Sequence, residues 1–282
     1  MLRESTPAIW TALYAEQPLH QALTTLAAHG WNVFEVSTEH FCELEEAPDQ
    51  AARIDQVRAV CQQHNLRLPQ GHALLQANVC HADPERRAED IRRLHAHLRL
   101  ASELEVQTVV VHPGKAPDTT TRAGRRHAQE LRVAAFNELA TAAAGLGCRL
   151  AIENMAHREF SSSADLLELL DAIGSKAVGV TFDSSHARMT PGIDLPAAIR
   201  DFDDRLWATH LSDNDGSGDQ HRAPGNGAID WPAVMQALAA IDYGGIVNLE
   251  IPGERHADVE LRALKSRHAR AVGDWLMELA TR

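Results

Sequence analysis

The sequence predicts an α/β protein folded as a closed (β/α)8 TIM barrel, a single domain over residues 1–282. Eight short apolar runs alternate along the chain with eight longer amphipathic segments. Six successive runs end in a histidine or an acid, at the strand ends where such a barrel carries its site. An open doubly wound sheet would show the same alternation, but no GxGxxG follows the first run, so no dinucleotide site is signalled.

In chain order, residues 7–10, 31–37, 66–72, 106–112, 149–153, 177–183, 206–211 and 246–251 are short and rich in Val, Ile, Leu or Thr. That composition suits strands buried on both faces. Between them, residues 19–29, 49–64, 84–105, 122–146, 164–173, 195–202, 231–241 and 257–280 carry helical patterning. Gly30, Gly147, Gly174 and Gly244 follow helix ends, where a left-handed stop is commonly required. Residues 37–46, after the second run, read as an acidic loop.

Hydrophobic residues make up 44% of the chain, enough for a sizeable core, and no Pro/Gly/Ser-rich linker divides it. Cys42, Cys61, Cys80 and Cys148 are dispersed without a CxxC pair. This argues against a disulfide framework or thiolate metal site and fits reduced thiols in the cytoplasm. The first ten residues lack a signal-peptide core and no run approaches membrane-spanning length, so a cytoplasmic chain without a membrane partner is expected. A formal charge of −12 opposes attraction to nucleic-acid phosphates.

The strand ends carry the chemistry. The last inward residues of runs three to eight are His72, His112, Glu153, Asp183, His210 and Glu250. Alternation along each strand puts Gln70, Val110, Ala151, Thr181, Ala208 and Asn248 in the layer beneath. His186 stands three residues past Asp183, and Asp219 and His221 lie on the Gly-rich loop after run seven. One such residue at a strand end is commonly a satisfied polar group. Six in succession would bury carboxylates whose repulsion needs cations to relieve it. These nine residues offer nitrogen and oxygen donors for one to three divalent ions, and the mixed set favours Zn²⁺ or Mn²⁺. His20, His29, His64, His95, His97, His127, His256 and His268 fall on helices and are expected to be solvated; His40, His81 and His157 are loop positions without an assignable partner.

Through VVVHPGK, LAIENM, VGVTFDSSHARM, HLSDNDGSGDQHRAPGNGAIDW and IVNLEIPG, residues 70–255 resemble the xylose isomerase-like barrel superfamily. The likeness is strongest to its sugar phosphate isomerase/epimerase branch. For that branch the resemblance implies a single metal held by Glu153, Asp183, His210 and Glu250, with Glu153 and Glu250 exchanging protons with the substrate from opposite faces. The chain is also similar to endonuclease IV-type repair nucleases, for which the resemblance implies three zinc ions on nine ligands. All nine find matches in His72, His112, Glu153, Asp183, His186, His210, Asp219, His221 and Glu250. Sugar epimerases often carry an arginine where this chain has His221, and Arg222 stands beside it.

The expected activity is metal-dependent isomerisation or epimerisation of a sugar, sugar phosphate or keto-sugar, by proton abstraction next to a metal-chelated carbonyl. Were the abstracted proton β to a leaving hydroxyl, the same apparatus would act as a dehydratase or lyase. The alternative is an endonuclease IV-like phosphodiesterase at abasic DNA, which would need Arg, Lys and wedge side chains on the rim where residues 37–46 are acidic. A non-catalytic binding barrel is a third reading. Lys115, Arg158, Arg188 and Arg222 follow strand ends four to seven and are candidates to hold an anionic carbohydrate. His186 is a substrate contact or a metal ligand. Trp10, closing the first run, is a candidate to stack on a sugar face, and Trp231 is expected to be structural. The expected partner is thus a small carbohydrate and not nucleic acid; the sequence leaves a homo-oligomer open.

Overall fold

The computed structural model describes residues 6–156, 159–253 and 258–281. Its parallel strands are β1 (Pro7–Trp10), β2 (Val33–Val36), β3 (Arg67–His72), β4 (Thr108–Val111), β5 (Arg149–Glu153), β6 (Val178–Asp183), β7 (Leu206–His210) and β8 (Val247–Leu249). They pair in the order β7-β6-β5-β4-β3-β2-β1-β8. The ring closes beyond β7: Leu211 N donates to Asn248 O at 2.8 Å and Glu250 N donates to Leu211 O at 3.2 Å. This is the (β/α)8 TIM barrel that the alternating pattern predicts.

The helices are α1 (Leu19–Ala28), α2 (Thr38–Glu46), α3 (Gln50–His64), α4 (Pro84–Glu103), α5 (Arg122–Gly145), α6 (Ser163–Ile173), α7 (Ser184–Met189), α8 (Leu195–Phe202), α9 (Trp231–Ala240) and α10 (Val259–Leu279). Their starts follow from short polar caps. Asp83 accepts from Glu85 N and Arg86 N ahead of Pro84, and Thr121, Ser162, Asp194 and Asp230 cap α5, α6, α8 and α9 in the same way. No described helix is long and apolar enough to cross a membrane.

Every residue of β1, β2, β4, β6 and β8 is buried, as strands enclosed between outer helices and a filled barrel must be. Inside the barrel, Val110, Ala151 and Ala208 form one apolar cluster and Ala8, Val33 and Ile246 another. Trp207 packs against the first, at the level where the register between β6 and β7 shifts. Gly179 makes room for it: a Cβ there would lie 2.3 Å from the indole. The guanidinium of Arg149 covers the same ring at 4.6 Å.

Several expectations are corrected. Residues 37–46 are not a loop. Thr38–Glu46 forms α2, burying His40, Phe41 and Leu44. After α9 it is Asp242 (φ 54°) that turns left-handed rather than Gly244, whereas Gly30, Gly147 and Gly174 behave as expected. His97 is fully buried rather than solvated, and His20, His29 and His95 are half-buried. His40 has partners in Thr11 Oγ1 at 2.8 Å and Gln17 O at 3.0 Å, and His81 Nδ1 accepts from Asp83 N at 3.0 Å. His157 and His256 lie outside the described residues.

Candidate functional site

The carboxyl ends of β3 to β8 bring the nine expected donors into one connected cluster. Glu153 sits at its centre. Its Oε2 lies 3.2 Å from Nε2 of both His72 and His112, and its Oε1 lies 3.1 Å from His210 Nδ1 and 3.4 Å from His186 Nδ1. Glu250 Oε2 stands 3.3 Å from His210 Nδ1 and 3.7 Å from His221 Nδ1. Asp219 Oδ2 joins from the loop, 3.5 Å from His186 Nε2 and 3.1 Å from His221 Nε2. Asp183 accepts His186 N at 2.7 Å through Oδ1, so one oxygen caps α7 while the other is left for the mouth.

Each histidine is aimed by the nitrogen it turns away from the centre. A carbonyl can only accept, so the ring nitrogen facing it carries the proton. His72 Nδ1 faces Ala73 O at 2.8 Å, His112 Nδ1 faces Leu75 O at 3.0 Å, His186 Nδ1 faces Asn154 O at 2.8 Å and His221 Nδ1 faces Glu250 O at 3.1 Å. Those four therefore present Nε2 to the cluster. His210 is reversed: its Nε2 meets Glu35 Oε1 at 2.9 Å, and Nδ1 points into the mouth. Glu35, fully buried on β2, was not foreseen from the sequence.

Charge in the cluster is heavily coupled. Burial alone would raise the Glu153 carboxyl, but His210, His112 and His72 outweigh it and hold it well below the usual carboxylate range. At Glu250 burial prevails, with repulsion from Asp183 and Glu153 added, and the carboxyl is pushed up to about 8 despite His210 and His221. Burial opposes charge on His210 too, yet Glu35, Glu250 and Glu153 hold its imidazolium well above the ordinary histidine range. His221 is raised to about 10 against burial by Glu250, Asp219 and Asp183.

The residues fit a divalent ion. One donor atom from each of Glu153, Asp183, His210 and Glu250 lies within 4.8 Å of the others, and His72, His112 and Glu153 form a second such group. Among the described residues Asp183 Oδ2 and Glu250 Oε2 are buried without a hydrogen-bond partner, which is costly for a carboxylate unless a cation faces it. Mixed N/O donors with fixed imidazole orientations complete the match.

Asp213 holds the loop after β7 in shape. Its Oδ1 accepts from Asn214 N at 2.9 Å and Ile229 N at 3.2 Å; its Oδ2 accepts from Gly225 N at 2.9 Å and Trp231 Nε1 at 2.8 Å. Trp231 is thus structural, as expected. Within this loop His221 takes a left-handed φ of 43°, a strained setting for a non-glycine residue.

The candidate substrate contacts are more dispersed. Trp10 is buried at the end of β1 and its indole N–H has no hydrogen-bond partner among the described residues. Lys115 is exposed on the rim of a cavity of about 510 Å³ that His112, Leu75, Asn78 and Met155 also line. Arg222 is drawn to Asp215 at 3.0 Å and to Asn226 O within its own loop, and Arg188 is half-buried near Gly216. Arg158 lies outside the described residues.

The family described as xylose isomerase-like TIM barrel matches residues 23–272. Among curated relatives, an uncharacterized protein y4fM of Sinorhizobium fredii is 28% identical over 69% of this chain, and the match spans 62% of that protein, about three fifths of its length. A D-psicose 3-epimerase of Enterocloster bolteae is 25% identical, covering 80% of this chain and 74% of its own. A probable endonuclease 4 of Acholeplasma laidlawii is 24% identical over 68% of this chain and 70% of its own. Of solved structures, a D-tagatose 3-epimerase-like protein superposes with a TM-score of 0.80 at 20% identity, covering 98% of both chains. A D-psicose 3-epimerase gives 0.80 at 20% identity, covering 96% of this chain and 99% of its own.

Proposed function

Since the chain belongs to the xylose isomerase-like TIM barrel family, we propose that it is a metal-dependent sugar epimerase or isomerase acting at a carbon beside a ketose or aldose carbonyl. The observation that carries this reading is the gathering of Glu153, Asp183, His210 and Glu250 at one mouth, where Asp183 Oδ2 and Glu250 Oε2 are buried and, among the described residues, have no hydrogen-bond partner. Two carboxyls facing one mouth supply a proton acceptor and, once one of them is protonated, a proton donor. A divalent ion, zinc or manganese by donor chemistry, would be held by Glu153, Asp183, His210 and Glu250 and would supply positive charge to a developing enediolate.

The chain's own residues do the rest. Glu153 accepts the proton from carbon, and Glu250 delivers one taken from solvent from its own side of the mouth. Return to the same carbon on the opposite face inverts that centre, whereas return to the neighbouring carbon, with the hydroxyl proton moved between oxygens, exchanges aldose and ketose. Trp10 offers an apolar face and an unpaired N–H to a sugar ring, and Lys115 a cation to an anionic substituent. The relative named a D-psicose 3-epimerase supports a ketose as substrate. A phosphodiesterase is the second reading, favoured by the convergence of all nine donors and by the relative named a probable endonuclease 4. Glu39, Glu43, Glu45 and Glu46 on α2 count against a duplex partner. Dehydration of a keto-sugar would use the same two glutamates.

The test is solvent exchange. Metal-loaded protein incubated in D₂O with a panel of ketoses, ketose phosphates and sugar acids is expected to place deuterium at one carbon adjacent to the carbonyl. Incision of an abasic-site duplex with no deuterium entering any sugar would reverse the ranking.

A further inference from the structure

Of the five mouth histidines, four give their outward nitrogen to a neutral backbone carbonyl and one, His210, gives it to a carboxylate. That carboxylate is fully buried in the layer beneath the mouth, where Glu35 pairs in register with Gln70 on β3 and Trp10 on β1. Both its oxygens are engaged: Oε1 by His210 Nε2 at 2.9 Å and Oε2 by the amide of Asn248. Burying an acid this deeply is unfavourable, and among the described residues neither Lys nor Arg pairs with it. Its position makes sense as a fixed anionic acceptor for one imidazole.

We infer that Glu35 is a positioning residue for the metal centre: it accepts the His210 Nε2–H, fixes that tautomer and aims Nδ1 at the group shared by Glu153, Asp183 and Glu250. The other four rings are aimed by main chain and can vary only with the fold, whereas this one is aimed by a replaceable side chain. An anionic acceptor also makes the far nitrogen a better donor than a carbonyl would. Of the candidate ligands, His210 is therefore the one whose strength the sequence sets at a single separate position. The inference rests on reading the mouth as a metal centre, and its test distinguishes the two.

The experiment is Mn²⁺ titration by calorimetry of the full chain as wild type, Glu35→Ala and Glu35→Gln, joined to long-range ¹H–¹⁵N spectra of the Zn²⁺-loaded wild type. Glu35→Ala is expected to bind Mn²⁺ roughly 10- to 100-fold more weakly. Glu35→Gln is expected to fall between it and wild type, because its amide oxygen still accepts from Nε2–H while the charge is gone. Rescue by Gln separates positioning from a loss of packing. In the spectra His210 should be protonated at Nε2 and ligated at Nδ1. Affinity of Glu35→Ala within twofold of wild type, or His210 ligated through Nε2, would overturn the inference and leave the metal reading intact. Wild type that takes up neither ion would overturn both. Should Glu35→Ala not fold, the wild-type spectra decide alone.

Discussion

The barrel mouth and the α2–α4 contact both gather metal-binding side chains, yet they balance charge differently. Cys42, Glu45 and His97 lie within 4.8 Å of one another, as the mouth donors do. Between α2 and α4, however, Arg93 supplies the cation: its Nη2 is 2.6 Å from Glu45 Oε2 and 3.5 Å from Cys42 Sγ. His97 adds a bond to the same oxygen at 3.3 Å and stays neutral, burial lowering it to about 4 despite Glu45. One acid meets one guanidinium, so the charges cancel, although His97 Nδ1 has no hydrogen-bond partner among the described residues. At the mouth Glu35, Glu153, Asp183 and Glu250 share a pocket of imidazoles, and two carboxylate oxygens have no hydrogen-bond partner among the described residues. Donor type and spacing are common to both clusters. What separates them is unbalanced charge.

Three substitutions sharpen that contrast. The largest effect is expected at the mouth. Glu153→Gln should lower kcat/KM by about 10²- to 10⁴-fold and release bound metal, because it removes the acceptor and the central anion together; assays with metal content measured on the same sample check it, and unchanged metal with full activity would break the contrast. A middling effect is expected at His97. Its folded value near 4 lies below the ordinary 6.5, so as pH falls between the two the unfolded chain binds a proton that the folded chain refuses. Stability should therefore drop across that window, by about 3 kcal/mol from this residue. His97→Leu should flatten the fall when urea unfolding is followed from pH 6.5 to 4; an identical slope would show that the imidazole is not held neutral. The smallest effect is expected for Cys42→Ser, which should leave metal stoichiometry unaltered and shift stability by less than about 1 kcal/mol. Loss of an ion from that variant would make the second cluster a site after all.

The barrel was legible because buried parallel strands write themselves as short apolar runs, and the mouth because histidines and acids interrupt those runs at their ends. Glu35 escaped the sequence because the alternation was followed only on runs three to eight, whose ends carry a histidine or an acid, and run two ends in Ser37. Its parity was available: Phe34 and Val36 face the helices, so Glu35 faces the interior with Val33. His97 was equally readable, since Leu94, His97, Leu98 and Ala101 make one buried stripe on α4. By contrast α2 is nine residues long with four glutamates, and only Thr38, His40, Phe41 and Leu44 mark its inner face. The tilt of His112, His186 and His221 depends on carbonyls distant in sequence, those of Leu75, Asn154 and Glu250. No local pattern encodes that.

The floor beneath the mouth has a consequence for traffic. Val110, Ala151 and Ala208, backed by Trp207 under Arg149, make an apolar plug below the donors. On the proposed reading, a sugar seated over an ion at this mouth would hold that ion in place. Turnover is then expected to follow a fixed queue, ion first in and last out, with exchange of the ion slowest when the protein is saturated with sugar.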